Sequence, residues 1–485
     1  MRGGAVVGRT ETSSAAPLIT EPAGPGWSAA AAPALPMGPA FAGRHVGPTA
    51  VTATDATETA GYASATPWIA IALLALFAAR LPELVPAIAP LRPTLLLSVV
   101  GSAWVLSHSG GDKSTRVFSS SILRTMLAYG AWAVLAAPFA IWPKHALLNA
   151  IPIFTPAVLL CTILLLTAPT PRNLDVVTFG FVCAVLAQLL GAMATGIVYA
   201  EGRLSGTDSL DPNDLASLAA LTFPFAMAQA QRRGGIARMI ALATVLTAVV
   251  VLMRTGSRGG TIAFAVCSIV YVAGQNRRRR IAFTFLFAIG MALAWTLGPA
   301  EYRTRMSTML ALDEDYNNTE YEGRTQIRQR AKEYFLQDPI FGVGMANFEA
   351  AEGRRLRETY RRGKWSAPHN AYWQALAELG AIGGAAFFAM LFFAGRVGWR
   401  LWRPVLPDGR PNPLHRPEFL SSLLAFAIAA YFLSHAYFWT MFGLVGMIAL
   451  AERVFDRAIR RDHGPPAAAP VASRGGFRTQ RARRR

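Results

Sequence analysis

From about residue 65 onward the chain alternates between long apolar runs and short polar connections. A helix needs about 20 apolar residues to cross the hydrocarbon core of a bilayer. Runs approaching that length are centred near Ile71, Ser98, Trp132, Leu159, Gln188, Leu221, Thr247, Ser268, Ile289, Ala385, Ala427 and Gly446. The pattern predicts an all-α polytopic membrane protein with about 12 transmembrane helices. Polarity returns for a long stretch only between the ninth and tenth runs. The expected organisation is a tail over 1–64, transmembrane helices 1–9 over 65–298, a helical loop over 299–368, transmembrane helices 10–12 over 369–455, and a basic tail over 456–485.

Composition narrows the class further. With 53% apolar and 15% charged residues in 485, the chain is neither disordered throughout nor a disulfide-rich secreted protein. Lys and Arg outnumber Asp and Glu by 47 to 28, giving a formal charge of +19, which raises the question of a nucleic-acid partner. The placement of the charges answers it. Arg clusters at Gln231–Arg238, Gln275–Arg280, Arg396–Pro417 and from Arg453 onward fall on one side of a twelve-span topology together with both termini, as expected of cytoplasmic connections. The excess charge is therefore topological, and nucleic acid has no separate support. The connection holding Arg80 and Arg92 runs against the rule.

The first 64 residues, rich in Ala, Gly, Pro, Ser and Thr, read as a disordered cytoplasmic tail rather than a signal peptide. The basic tail ending at Arg485 is suited to anionic lipid headgroups. Cys161, Cys183 and Cys267 stand singly in apolar runs and imply packing, with no disulfide or metal framework.

Candidate chemistry gathers on the other face. In Gly323–Gln337, a helical period of 100° per residue places Arg324, Ile327, Arg328, Ala331, Tyr334 and Phe335 on one side, with Gln326, Gln329, Arg330 and Glu333 opposite. Two cations on an apolar stripe either face a cavity that holds an anion, or snorkel and pair with carboxylates such as Glu320 and Glu322. Thr255-Gly256-Ser257-Arg258-Gly259-Gly260 ends the seventh run. Its glycines permit irregular backbone whose N–H groups form an anion nest, to which Arg258 adds a fork matched to phosphate. The alternative is a tight turn with Arg258 snorkelling; Arg254 assists or snorkels. His369, in Pro368-His369-Asn370-Ala371-Tyr372-Trp373, is expected at the start of the tenth helix, on one face with Tyr372, Trp373, Leu376 and Gly380, where an imidazole exchanges protons near neutral pH. Its alternative role is a helix cap. Glu378 reads as a structural hydrogen-bond partner, and Gly380 with Gly384 as a small-residue packing site. In Glu201–Asp214, Arg203 and Asn213 contact substrate, or Asp211 and Asn213 cap the next helix. Asp313–Asp315 reads as a solvated acidic turn rather than a metal site.

The ordered set of motifs, DPNDLA at Asp211, SRGG at Ser257, GR with its helix at Gly323, DPIFGVGMANF at Asp338 and HNAYWQALAELGAIG at His369, resembles the O-antigen ligase and polymerase superfamily over roughly Ala200–Gly384. The resemblance implies a GT-C-like fold and a membrane glycosyltransferase of the bacterial inner membrane whose active site faces the periplasm. It also implies a donor glycan on undecaprenyl pyrophosphate, an acceptor hydroxyl on lipid A core or another glycan, and no cofactor or metal. Carried onto this chain, it assigns Arg258 and Arg324 to the donor pyrophosphate and His369 to the acceptor, with Arg328, Arg203, Ser257 and Asn370 in support. O-antigen ligation to lipid A core is the leading expectation, with an O-antigen or exopolysaccharide polymerase as its alternative. A polysaccharide transporter or flippase is the rival from another class. Transporters gather ionisable residues near the midplane, whereas here only Glu378 is plainly within a span. The basic stretch Arg354–Lys364 suits a phosphorylated lipid A core or a lipid surface.

Overall fold

The computed structural model describes residues 62, 64–80, 83, 86–110, 117–196, 198–199, 202–206, 210–307, 323–359 and 365–462. The expectations for residues 1–61 and 463–485, Glu320, Glu322, Asp313–Asp315 and the end of the Arg354–Lys364 stretch lie outside them. All described residues belong to the compact unit Thr57–Arg485.

Among the described residues there are fifteen α-helices. In chain order they are α1 Thr66–Ala78, α2 Pro93–His108, α3 Ser121–Leu135, α4 Pro143–Leu166, α5 Pro171–Thr195, α6 Pro212–Arg232, α7 Gly235–Thr255, α8 Arg258–Ala273, α9 Arg277–Leu297, α10 Ala300–Ser307, α11 Arg324–Gln337, α12 Phe348–Glu358, α13 Ala371–Trp402, α14 Pro417–Ala430 and α15 Trp439–Asp462. A two-residue antiparallel ribbon, β1 Val198–Tyr199 with β2 Arg203–Leu204, precedes α6. Each of the twelve apolar centres read from the sequence lies inside a helix. Among the described residues, six helical segments are long and apolar enough to span a bilayer, and α1, α3, α8 and α14 are shorter apolar helices. This is an all-α membrane protein.

At the centre lies α6, buried on every side from Leu215 to Ala230. It packs against α5, α7, α8 and α14, while α15 packs along α4 and α13 along α3 and α14. The periphery is inverted relative to a water-soluble protein. None of the described side chains of α9 is buried, and Ile281, Phe285, Leu286, Ile289, Leu293 and Trp295 are exposed. So large an apolar surface requires apolar surroundings, which lipid tails supply.

Polar contacts gather at the two ends of the bundle. Where α5 and α14 begin and α6 finishes, Arg416 donates both Nη atoms to Asp175, at 2.7 and 3.2 Å. Arg232 meets Asp175 at 3.1 Å and the buried Glu418 at 2.7 Å. Arg233 donates to the Asp175 carbonyl at 2.8 Å. Arg80, on the connection that ran against the charge rule, is paired locally with Glu83. Cys161 and Cys267 are buried and all three cysteines are free, as packing residues in apolar runs should be.

Candidate active site

The opposite end of the bundle brings together segments that are far apart in sequence. Asp211 caps α6, accepting from the backbone N–H groups of Asn213 at 2.6 Å and Asp214 at 2.8 Å, and Asp214 returns the bond to Asp211 N at 3.2 Å. Capping is thus the role of Asp211, while Asn213 does something else. Its Oδ1 accepts from Arg203 Nη2 at 2.9 Å, and Arg203 Nε donates to the Thr255 carbonyl at 2.8 Å. Arg203 therefore ties the start of α6 to the end of α7.

There α7 terminates on Gly256, whose φ of +58° suits glycine, and α8 starts one residue later. Ser257 is its N-cap, with the hydroxyl accepting from Gly260 N at 3.2 Å. Arg258 is the first helical residue and is half-buried, whereas Arg254 is exposed. The glycines that follow are accounted for by close packing. A Cβ on Gly259 would stand 2.9 Å from the Phe432 ring, and one on Gly260 2.5 Å from the Ala216 Cβ. Arg305 of α10 covers the same turn, its Nε donating to the Gly256 carbonyl at 3.2 Å.

On α11 the buried stripe is rotated from the one expected. Ile327, Arg330, Ala331 and Tyr334 are buried, while Arg324 and Arg328 flank them half-buried. Arg330, expected on the polar side, is fully satisfied inside. It meets both Glu352 carboxylate oxygens at 2.7–2.9 Å, and Tyr334 donates to the same carboxylate at 2.8 Å. The partner helix α12 decides which face turns inward. Burial, with Glu352 adjacent, pushes the Tyr334 phenol above its ordinary range. Arg328 instead reaches Tyr431, donating to its hydroxyl and lying 5.1 Å from its ring centroid.

His369 does not open a helix. It precedes the N-cap Asn370 and has a φ of +49°, so the helical face expected to join it to Tyr372, Trp373, Leu376 and Gly380 does not include it. Its side chain is half-buried, and its backbone N donates to Ser434 Oγ at 2.9 Å. Asn370 is spent on structure. Its Oδ1 caps Trp373 N at 3.0 Å, and its Nδ2 donates to the Tyr431 carbonyl at 2.9 Å.

Behind it, α13 breaks at Gly380, with φ +64° and ψ −166°. Residues 339–348 strap across the break. Val343 N and Gly344 N donate to the carbonyls of Ala377 and Glu378, and Ala381 N to that of Pro339. A Cβ on Gly380 would fall 2.1 Å from the Ile340 carbonyl oxygen. Gly380 is therefore a breakpoint for the strap and not one half of a helix-packing pair with Gly384. Glu378 is the hydrogen-bond partner expected, accepting from Ala346 N at 3.0 Å and Phe348 N at 3.3 Å.

One element was not picked out from the sequence. Residues 431–438, between α14 and α15, touch four of the five motifs. Tyr431 meets Arg328 and Asn370, Phe432 abuts Gly259, Ser434 holds His369, and His435 Nε2 lies 2.7 Å from Asp214 Oδ1. His435 is buried and stacked on Phe438 at 4.2 Å. Its pairing with Asp214 directs Nε2 at a carboxylate, the way a carboxylate fixes an imidazole in other sites. From behind, Gln374 accepts from Ala436 N at 3.1 Å and Tyr129 donates to the Ala436 carbonyl at 3.4 Å. The signal in the sequence was a Ser-His pair interrupting apolar residues at the end of a span.

Of the basic stretch after residue 353, Arg354 pairs with Glu358 at 2.9 Å, Arg355 with Glu333 at 2.6 Å, and Arg357 lies over the Trp365 ring. Among the described residues, no group of three or more His, Cys, Asp or Glu is placed to hold a metal ion.

No curated protein matches the chain. Residues 242–388, from α7 into α13 and spanning the SRGG, GR-helix and HN segments, match the Wzy_C family model, described as O-antigen ligase. The match supports the O-antigen ligase and polymerase superfamily, glycosyltransferase-like activity and lipid-linked glycan substrates in general, as the motifs had implied.

Proposed function

We propose that the protein transfers a glycan from undecaprenyl pyrophosphate to an acceptor hydroxyl at the periplasmic face of the inner membrane, joining O-antigen to lipid A core. The observation that carries this reading is the loop 431–438. It draws the Asp214, Gly259, Arg328 and His369 segments to one end of the bundle, where two arginines and an imidazole serve one reaction.

In that reaction the acceptor oxygen attacks the anomeric carbon and the bond from that carbon to the phosphate oxygen breaks. The electron pair leaves with the diphosphate, and the acceptor proton passes to His369. Attack opposite the leaving group inverts the anomeric centre. Arg258 and Arg324 stabilise the charge growing on the diphosphate, and loss of one such preorganised donor costs about 10²–10³-fold in rate. Proton transfer to His369 contributes about 10²–10⁴-fold. Arg328 and Arg203 enlarge the positive field, while Ser257 and Asn370 hold the turns that present Arg258 and His369. Guanidinium groups take the charge-stabilising role here, so turnover is expected to persist in a metal chelator.

Deletion of the gene and analysis of surface glycans test the reading. Lipid-linked polymer accumulating beside bare core supports ligation, whereas single repeat units on core identify the polymerase alternative. That alternative gains from the ion pairs of Arg354 and Arg355, which withdraw two cations from recognition of a phosphorylated core. Purified protein that moves a lipid-linked glycan between leaflets and forms no glycosidic bond contradicts both and identifies a transporter.

A further inference from the structure

A second basic site lies at the far end of the bundle, away from every motif described above. The end of α13, the connection to α14 and the last turns of α15 border an open cavity of about 590 Å³. Its lining includes Arg400, Arg403 and Arg460 beside Trp399, Val405 and Phe455.

The wall formed by the connection is built. Asn412 Nδ2 donates to the Arg400 and Arg403 carbonyls at 2.8 and 2.7 Å, closing the end of α13. Leu406 N donates to the Arg410 carbonyl and Asn412 N to that of Pro404, and Gly409 turns the tip with a φ of +83°. At that tip Arg410 is matched to Asp408 at 2.7 Å, which holds the Asp408 carboxyl below its usual range. Asp456 also lines the cavity, and Glu452 lies within electrostatic range of Arg400. Among the described residues, however, Arg400, Arg403 and Arg460 form no ion pair. Trp399 is exposed and stacked on Trp402 at 5.2 Å, an indole placement common at the level of lipid headgroups.

Charge and apolar area thus occur together, at the end of membrane-spanning helices, in a volume suited to a small polar group with an attached tail. We propose that this cavity binds the phosphate-bearing headgroup of an anionic phospholipid, with Arg400, Arg403 and Arg460 on the phosphate and Trp399, Val405 and Phe455 against the glycerol and first acyl carbons. A free phosphate leaves the apolar wall unused, and a zwitterionic headgroup sets its own cation against the arginines.

The test is native mass spectrometry of the purified full-length chain titrated with phosphatidylglycerol, phosphatidylcholine or inorganic phosphate. Phosphatidylglycerol is expected to bind saturably and at least about tenfold tighter than phosphatidylcholine, since each basic residue near a lipid surface contributes on the order of 1 kcal/mol. The variant Arg400→Gln/Arg403→Gln/Arg460→Gln is expected to abolish that preference. Arg277→Gln/Arg278→Gln, which removes exposed charge from α9, is expected to keep it. Equal loss in both variants indicates diffuse attraction and overturns the proposal. Displacement of phosphatidylglycerol by equimolar inorganic phosphate overturns the headgroup assignment. Independently of any variant, a photoactivatable phosphatidylglycerol is expected to label peptides covering 399–410 and 455–460, and labelling spread evenly over the helices contradicts the site.

Discussion

Arg232 and Arg416, where α6 finishes and α14 begins, are matched to the carboxylates of Asp175 and Glu418, whereas Arg328 at the other end donates to the Tyr431 hydroxyl and lies against its ring. A carboxylate neutralises a guanidinium, while a neutral acceptor orients it and keeps its charge. In a low-dielectric setting the first arrangement closes a structure and the second suits an incoming anion. The difference separates arginines that hold the bundle from Arg328, which we propose adds to the positive field around the diphosphate.

Substitutions at the two ends should therefore fail in different ways. The largest effect is expected from His369→Asn, because asparagine tolerates the positive φ that His369 adopts and leaves the backbone bond to Ser434 in place. A fall in turnover of about 10²–10⁴-fold with unchanged thermal stability is expected, measured in a reconstituted transfer assay alongside a melting curve. At the opposite end Glu418→Gln should do the reverse. Breaking a buried pair on one side costs about 3–5 kcal/mol, so the melting temperature should fall steeply while turnover per folded molecule holds. If Glu418→Gln lowers turnover more than stability, the contrast between the two ends is wrong.

The hub loop should show a mixture of both. His435→Leu removes the partner of Asp214 and should cost about 1.5–3 kcal/mol, as for a hydrogen bond to a charged group. His435→Gln, which can still donate, should recover part of it. Turnover should drop with stability in the first and return in the second, since His435 supports the loop that holds His369. Smallest is Ser257→Ala, the loss of one N-cap, at about 1 kcal/mol. A larger loss of turnover than that predicts would move Ser257 from support into contact with the substrate.

How much of this was legible in the sequence depended on how local each cause was. The apolar runs and the Asp211 cap before Pro212 are set by neighbours within a turn and were readable, whereas the sequence offered His369 rather than Asn370 as the cap of α13 and gave Ser257 no capping role. Glu378 was readable as a hydrogen-bond partner because a carboxylate in a span needs donors. Arg330 was misplaced because the buried face of α11 is chosen by Glu352 on another helix, and periodicity says nothing of that carboxylate. Gly380 looked like helix packing until the strap from Pro339 to Gly344 supplied the reason for its break. Residues 431–438 carried no signal of their own beyond a Ser-His pair among apolar residues, and only their placement between α8, α11 and α13 makes them the hub.

The central claim is that the Arg258 and Arg324 guanidiniums grip the leaving diphosphate by their forked geometry and not by charge alone. The direct measurement is turnover by Arg258→Lys and Arg324→Lys in reconstituted protein with a defined undecaprenyl-pyrophosphate donor. Each lysine variant is expected to lose about 10²–10³-fold in turnover while retaining its melting temperature. Turnover equal to the unmodified protein in both variants contradicts the account.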